Sequence, residues 1–255
     1  MTPPPQAKSD RAALRHIGIF RFSTVEFLVA LALLFIGAPF VETMRYGSEV
    51  ETSLMTLVLV LGALAVGRSR RTLAWAAGLV IPAVTARWIH HFGQQPAWAG
   101  IFLAAALVYL IFLIAHFLHF ILRAPRVNAD VLCAGISVYL LLGLVWVMGY
   151  MLVAQLADAK QPAFAFNAGP ANQSMTGFNA YYFSFITLTT VGYGDITPVS
   201  NMARALSALE AMTGTLYVAV LISRLVALYS SQAPPAEPGG KPQTEQKKLT
   251  ESNQI

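Results

Sequence analysis

The chain has 255 residues, 56% of them hydrophobic and only 11% charged. Soluble domains carry roughly 25% charged residues, so a chain this poor in charge, with a mean hydropathy of +0.59, meets lipid over long stretches, which excludes most soluble enzymes. The formal net charge of +5 does not point to nucleic acid, because the bases sit in short loops between apolar runs and not on one basic face. A single cysteine, Cys133, excludes an intrachain disulfide and a cysteine-based metal site within one chain.

Residues 1–21 form a basic arm carrying Lys8, Arg11, Arg15 and Arg21. Its Pro-rich start is expected to be disordered, and Ser9 is placed to cap a short interfacial helix from Asp10 to about Gly18. The next run, Phe22–Val41, exceeds the short apolar core of a signal peptide and reads as a retained spanning helix. It contains an acid, Glu26, whose partner the sequence does not identify. Three further runs follow, Val50–Val66, Thr72–Ile89 and Trp98–Leu122, and residues 22–122 read as a four-helix transmembrane bundle.

The fourth run contains no Lys or Arg, and a voltage sensor needs bases recurring along that helix. Its titratable groups are His116 and His119, spaced to share a face. Sensing pH or binding a metal is the sharper reading of that pair, and packing within the bundle the plainer one. His90 and His91 fall near the outer surface. The linker Arg123–Asp130 is short and interrupted by Pro125, which makes it a poor helical lever.

The back half holds two more spanning runs, Val131–Leu156 and Ala205–Tyr229, and residues 131–230 read as one unit. Between them the apolar piece Phe178–Leu188 is too short to cross and reads as re-entrant. The expectation is an all-α membrane protein with about six transmembrane helices and a re-entrant helix and loop before the last. Bases concentrate in the N-terminal arm, in the second-to-third loop (Arg68, Arg70, Arg71) and in the fourth-to-fifth loop (Arg123, Arg126). Those loops mark the cytoplasmic side, so both termini lie inside and the protein is a multi-pass component of the cell (plasma or inner) membrane. Residues 231–255 are rich in Pro, Gly, Gln and Lys and read as a disordered cytoplasmic tail.

After the short apolar piece the chain reads Thr187-Leu188-Thr189-Thr190-Val191-Gly192-Tyr193-Gly194-Asp195. Alternating glycines admit backbone conformations closed to other residues. At membrane depth, irregular backbone survives only where it is buried in protein or lines a wet path. A Gly-alternating strand after a re-entrant helix therefore suggests carbonyls facing an aqueous axis.

The TTVGYGD heptapeptide resembles the signature of tetrameric potassium channels of the pore-loop superfamily, in a bacterial six-helix form without a charged sensor helix. The resemblance covers about Val131 to Tyr229. It implies that Thr190, Val191, Gly192, Tyr193 and Gly194 form a selectivity filter. Potassium would be held by the carbonyls of Thr190, Val191, Gly192 and Tyr193 and by the Thr190 hydroxyl. It also implies three further copies of the chain around one axis, with potassium as the permeant ion and no cofactor. By the same resemblance Thr189, Tyr182 and Asp195 support the filter, Tyr182 as the pore-helix aromatic bonded to Asp195. Ile186 stands where relatives that inactivate at the filter often carry Glu. Pro198 is expected to stiffen the exit from the filter. Gly214 matches the family's hinge glycine in its distance beyond Asp195; close packing through a small residue is the alternative.

Glu210, an acid inside an apolar run, is read as a structural partner of the pore helix, with a cavity-facing cation attractor as the alternative. The function expected is passive, potassium-selective conduction, with the gating stimulus open and a separate regulatory partner allowed. A potassium-transporter pore and a non-conducting membrane sensor or scaffold are the other readings. Transporter pores carry four degenerate filters in one chain, whereas this chain has one, and a scaffold has no use for an intact filter. No nucleophile–base pair or metal cluster suggests an enzyme.

Overall fold

The computed structural model describes residues 24–37, 39–40, 47–66, 70–93, 96–157, 161–168 and 173–230. The basic arm, Arg68, the loop at 41–46 and the tail from 231 lie outside the described residues. The helices are α1 (Thr24–Gly37), α2 (Gly47–Val66), α3 (Arg70–Gly93), α4 (Pro96–Arg123), α5 (Ala129–Leu156), α6 (Gly177–Leu188) and α7 (Asn201–Ser230). Two three-residue strands, β1 (Phe164–Phe166) and β2 (Ile196–Pro198), flank α6 in sequence.

Among the described residues five helices, α2, α3, α4, α5 and α7, are long and apolar enough to cross a membrane. The sequence suggested about six spans. The described part of α1 is shorter than a bilayer requires, and several residues that would extend it lie outside the described set. The long helices overrun their apolar cores by up to a few residues at either end. Backbone hydrogen bonding continues into the headgroup region, where polar side chains are tolerated. The architecture is that of an all-α membrane protein, apart from the β1–β2 pair.

The front bundle closes on its own core. Phe27 of α1 stacks on Phe117 of α4 with ring centroids 5.4 Å apart. The Tyr109 hydroxyl donates to the carbonyl of Leu59 at 2.6 Å, satisfying a buried phenol across the α2–α4 contact. In α3, Pro82 cannot donate to the preceding turn, and the Thr85 hydroxyl bonds the carbonyls of Ile81 and Pro82.

Residues 124–128 are not helical. Helix α5 restarts at an Asn128 cap, whose side chain accepts from the Val131 amide at 2.9 Å, and Asp130 lies in its first turn. The α4 face then packs along α5, and α5 packs against α6 and α7. The sharpest approach is at Gly143, where an added Cβ would lie 2.1 Å from the Phe185 ring. Phe185 in turn meets Phe35 of α1 edge-on at 4.3 Å, and the Tyr181 hydroxyl contacts the sulfur of Met55 at 3.9 Å. The front bundle thus touches the back of α6 directly. Behind α6, Tyr150, Phe164 and Phe183 form an aromatic trio with centroids 4.9 to 5.6 Å apart.

Helix α7 buries one stripe, Ala203, Glu210 and Gly214, with Leu206, Tyr217 and Leu221 half-buried on the same face. The spacing follows the helical repeat. Its opposite face leaves Met212 59% and Leu216 60% exposed on the single chain.

Candidate functional site

The loop after α6 is built by unusual backbone. Helix α6 ends as the Thr189 amide donates to Phe185 and the Thr190 amide to Thr187. The amides of Val191 and Gly192 then both reach back to the carbonyl of Ile186, at 2.8 and 3.1 Å. Positive φ occurs at Thr190 (61°), Gly192 (56°) and Gly194 (81°), but not at the intervening Val191 and Tyr193. For a β-branched residue such as Thr190 this conformation is strained, and surrounding structure has to hold it. The alternation of backbone hand is what the two glycines permit.

All five residues from Thr190 to Gly194 are exposed on the chain, with Tyr193 73% accessible. Among the described residues the carbonyls of Thr190, Val191, Gly192 and Tyr193 accept no hydrogen bond. Backbone carbonyls rarely go unpaired unless water or a ligand serves them. The Thr189 hydroxyl is turned back to the carbonyl of Phe185 at 2.6 Å and so closes α6.

The far end of the loop is fastened twice. The Tyr182 hydroxyl donates to Asp195 Oδ2 at 2.6 Å, and Asp195 Oδ1 accepts from the Ile196 amide at 3.0 Å. The bond to the Asp195 carboxylate pushes the Tyr182 phenol up to about 12, since ionising the phenol would face two negative charges. Asn167, just beyond β1, makes the second fastening. Its amide donates to the carbonyl of Asp195 at 2.7 Å, and its side-chain nitrogen donates to the carbonyl of Gly194 at 2.8 Å and to the Thr197 hydroxyl at 3.2 Å. The antiparallel pairing of β1 with β2, Phe164 opposite Pro198 and Phe166 opposite Ile196, sets Asn167 at that position. The sequence reading did not single out Asn167. The carbonyl of Pro198 accepts from Arg204 Nε at 3.2 Å, so the exit is tied to the first turns of α7.

Two α7 residues meet α6 from behind. Glu210 is fully buried; its Oε1 lies 2.6 Å from the Ser184 hydroxyl, and its Oε2 accepts from the Tyr150 hydroxyl. Ser184 and Tyr150 were also not singled out from the sequence. Four residues on, Gly214 lies under the end of α6, where an added Cβ would come 2.2 Å from the carbonyl oxygen of Leu188. Helix α7 runs unbroken through Gly214.

The remaining sequence candidates lie away from this loop. His116 is half-buried beside Phe112, with centroids 6.4 Å apart, and His119 is exposed on α4. His91 packs against Trp88 and Phe92. Glu26 is exposed on α1. Among the described residues no three His, Cys, Asp or Glu side chains are grouped to hold a metal ion.

Comparison with known proteins agrees in part with this geometry. Residues 131–231 match the family profile described as "Ion channel". Over 48 residues the chain is 40% identical to "Two-pore potassium channel 4" of Arabidopsis thaliana, covering 19% of this chain and 17% of that protein. Over 79 residues it is 34% identical to "Potassium voltage-gated channel protein shk-1" of Caenorhabditis elegans, covering 31% of this chain and 15% of that one. The chain therefore spans less than a fifth of the length of either relative. The similarity is to non-enzymatic channel proteins, and the profile match spans the half that carries the Thr190–Gly194 loop.

Proposed function

We propose that the chain is the subunit of a potassium-selective channel that conducts passively through a fourfold pore in the cell membrane. The observation that carries this reading is the run of four exposed carbonyls, Thr190 to Tyr193, with no partner among the described residues. The backbone hand alternates along that run. Alternation turns successive carbonyls toward one side, where in an ordinary strand they alternate between sides. A row of such carbonyls can replace the hydration shell of a potassium ion. One chain supplies one such row, so a ring needs three further copies. The exposure of Tyr193 and of the Met212–Leu216 face of α7 on the single chain is in keeping with other copies and lipid covering them.

In this reading α6 is a re-entrant pore helix with its C-terminal end, and so the negative end of its dipole, toward the ion path. The filter lies on the outer side and both termini on the cytoplasmic side. Tyr182, Asp195, Thr189, Asn167 and Glu210 support the filter, and potassium is the permeant ion with no cofactor. Gly214 remains a candidate hinge as well as a spacer. Gating by a moving arginine helix is not proposed, because α4 carries a base only at its end, Arg123. The stimulus is left to the lipid, the pH or a separate partner.

Potassium flux into liposomes containing the purified chain, blocked by barium, is the direct test. Gly192→Ala should abolish potassium selectivity, because φ at that residue is +56°, where a side chain is strained. Retained selectivity in that variant, or no barium-sensitive flux in the parent, would refute the assignment.

A further inference from the structure

We propose that Glu210 carries its own proton and, as a neutral acid, ties α6 to both α5 and α7, so that the support of the loop at Thr190–Gly194 rests on one buried proton. Three contacts share the hydrogens of Glu210, Ser184 and Tyr150. Glu210 Oε2 accepts from the Tyr150 hydroxyl. Glu210 Oε1 lies 2.6 Å from Ser184 Oγ, and that same Oγ lies 3.0 Å from the carbonyl oxygen of Gly143. A serine hydroxyl holds one proton, and a carboxylate is acceptor only. With Glu210 ionised, Ser184 serves one of its two oxygen partners, and the other pair of oxygens faces each other with no proton between them. With Glu210 protonated on Oε1, the acid donates to Ser184, Ser184 donates to Gly143, and Tyr150 donates to Oε2. Each of the three contacts then holds one hydrogen.

The surroundings favour the same state. Glu210, Ser184 and Tyr150 are each fully buried. The titratable groups acting on or near Glu210 are Tyr150 and Tyr139, both on α5; α6 contributes Ser184, and no Lys, Arg or His acts on it from any described element. An isolated carboxylate in such a place is far more costly than a neutral acid. The chain of hydrogens joins three helices at Ser184, one turn before Leu188, and the strained Thr190 follows two residues later. Glu210 is thus a positioning residue. It touches no permeant ion and acts through Ser184. Its bearing on conduction rests on the channel reading above, whereas the proton count rests on the side chains alone.

Infrared difference spectroscopy of the full chain in liposomes tests the proton. A protonated-carboxyl C=O band at neutral pH should be present in the parent and absent in Glu210→Gln. Ser184→Ala, which removes the acceptor of the acid's proton, should shift that band and not remove it. Gln can donate to Ser184 and accept from Tyr150, so Glu210→Gln should hold potassium flux within about twofold of the parent. Glu210→Ala leaves buried hydroxyls without partners and should lower flux by more than about tenfold. No band at neutral pH, or a Gln variant as impaired as Ala, overturns the proposal. If the parent passes no potassium the channel reading falls, and the band still decides the state of Glu210.

Discussion

Gly214→Ala separates two roles that one glycine can play. A methyl group there would sit 2.2 Å from the Leu188 carbonyl oxygen and 3.1 Å from its carbon, where ordinary contact begins at 3.4 Å, a shortfall of about 1.2 Å at the oxygen. The obstruction is backbone, so no rotamer change relieves it. Either α7 withdraws or the end of α6 lifts, and the lift would be passed to Thr189 and Thr190. Overpacking of this kind costs roughly 1–3 kcal/mol, and the better helix propensity of Ala returns about 1 kcal/mol. The net expectation is a destabilisation of about 0–2 kcal/mol, with a displaced base of the Thr190–Gly194 loop. Thermal unfolding of the purified assembly reads the first, and the potassium-to-sodium reversal potential in bilayers reads the second. Gly149→Ala is the control: it lies in α5 with nothing within 4 Å of the added carbon, and it should be neutral or slightly stabilising. A Gly214→Ala protein as stable and as selective as its parent would refute the spacer argument. A fall in open probability alone, with stability and selectivity kept, would assign the glycine to hinging.

Three further outcomes are expected. In the proposed channel, Tyr182→Phe removes the donor to Asp195 and should hasten collapse of the Thr190–Gly194 loop when potassium is withdrawn, seen as a current that recovers more slowly on its return. For the parent, the phenol is raised from 10.0 to about 12, so its hydrogen bond contributes in full below pH 10 and is lost as the pH climbs through that window. Stability of the assembly, followed against pH, should show a fall between 10 and 12 that Tyr182→Phe lacks. Asn167→Ala keeps the backbone bond to Asp195 but loses those to the Gly194 carbonyl and the Thr197 hydroxyl. It should cost no more than about 1 kcal/mol in unfolding and weaken potassium occupancy, measured by calorimetric titration. Arg224→Gln shortens a guanidinium that donates to the carbonyls of Leu122 at 3.0 Å and Ala124 at 3.4 Å, and should lower the thermal midpoint of the assembly.

The helices were legible because each apolar run repeats one message over about twenty residues, and lipid leaves the backbone no choice but to bond to itself. Their ends were less legible, since polar residues at the headgroups end the apolar run before they end the helix. The Thr190–Gly194 loop was legible because its glycines are needed by the backbone itself. The Tyr182–Asp195 contact was legible through the resemblance to pore-loop channels, and it joins residues only 13 apart across a short helix and loop. Glu210 and Tyr150 are 60 residues apart, and Glu210 and Ser184 are 26 apart. Nothing local marks such partners; only the packing of α5, α6 and α7 brings them together. Asn167 was hidden for a different reason. The strands that carry it into place are three residues each, too short for alternation to register as a pattern.

These contacts hold α6 on three sides with different chemistry. The front bundle presses on it through Phe35 and Met55. Helix α7 holds it through Glu210 and the bare backbone of Gly214. The β1–β2 pair fixes the far end of the loop through Asn167. The same α7 that supports α6 also reaches, through Arg224, the carbonyl of Leu122 in the last turn of α4 and that of Ala124 just beyond it, where a helix end leaves acceptors unpaired. A displacement of α4 can therefore reach the loop by two routes, through the C-terminal end of α7 or directly across α1 and α2 to the back of α6. Neither route needs a charge in α4, so in the proposed channel the front bundle can act on the loop without arginines along that helix.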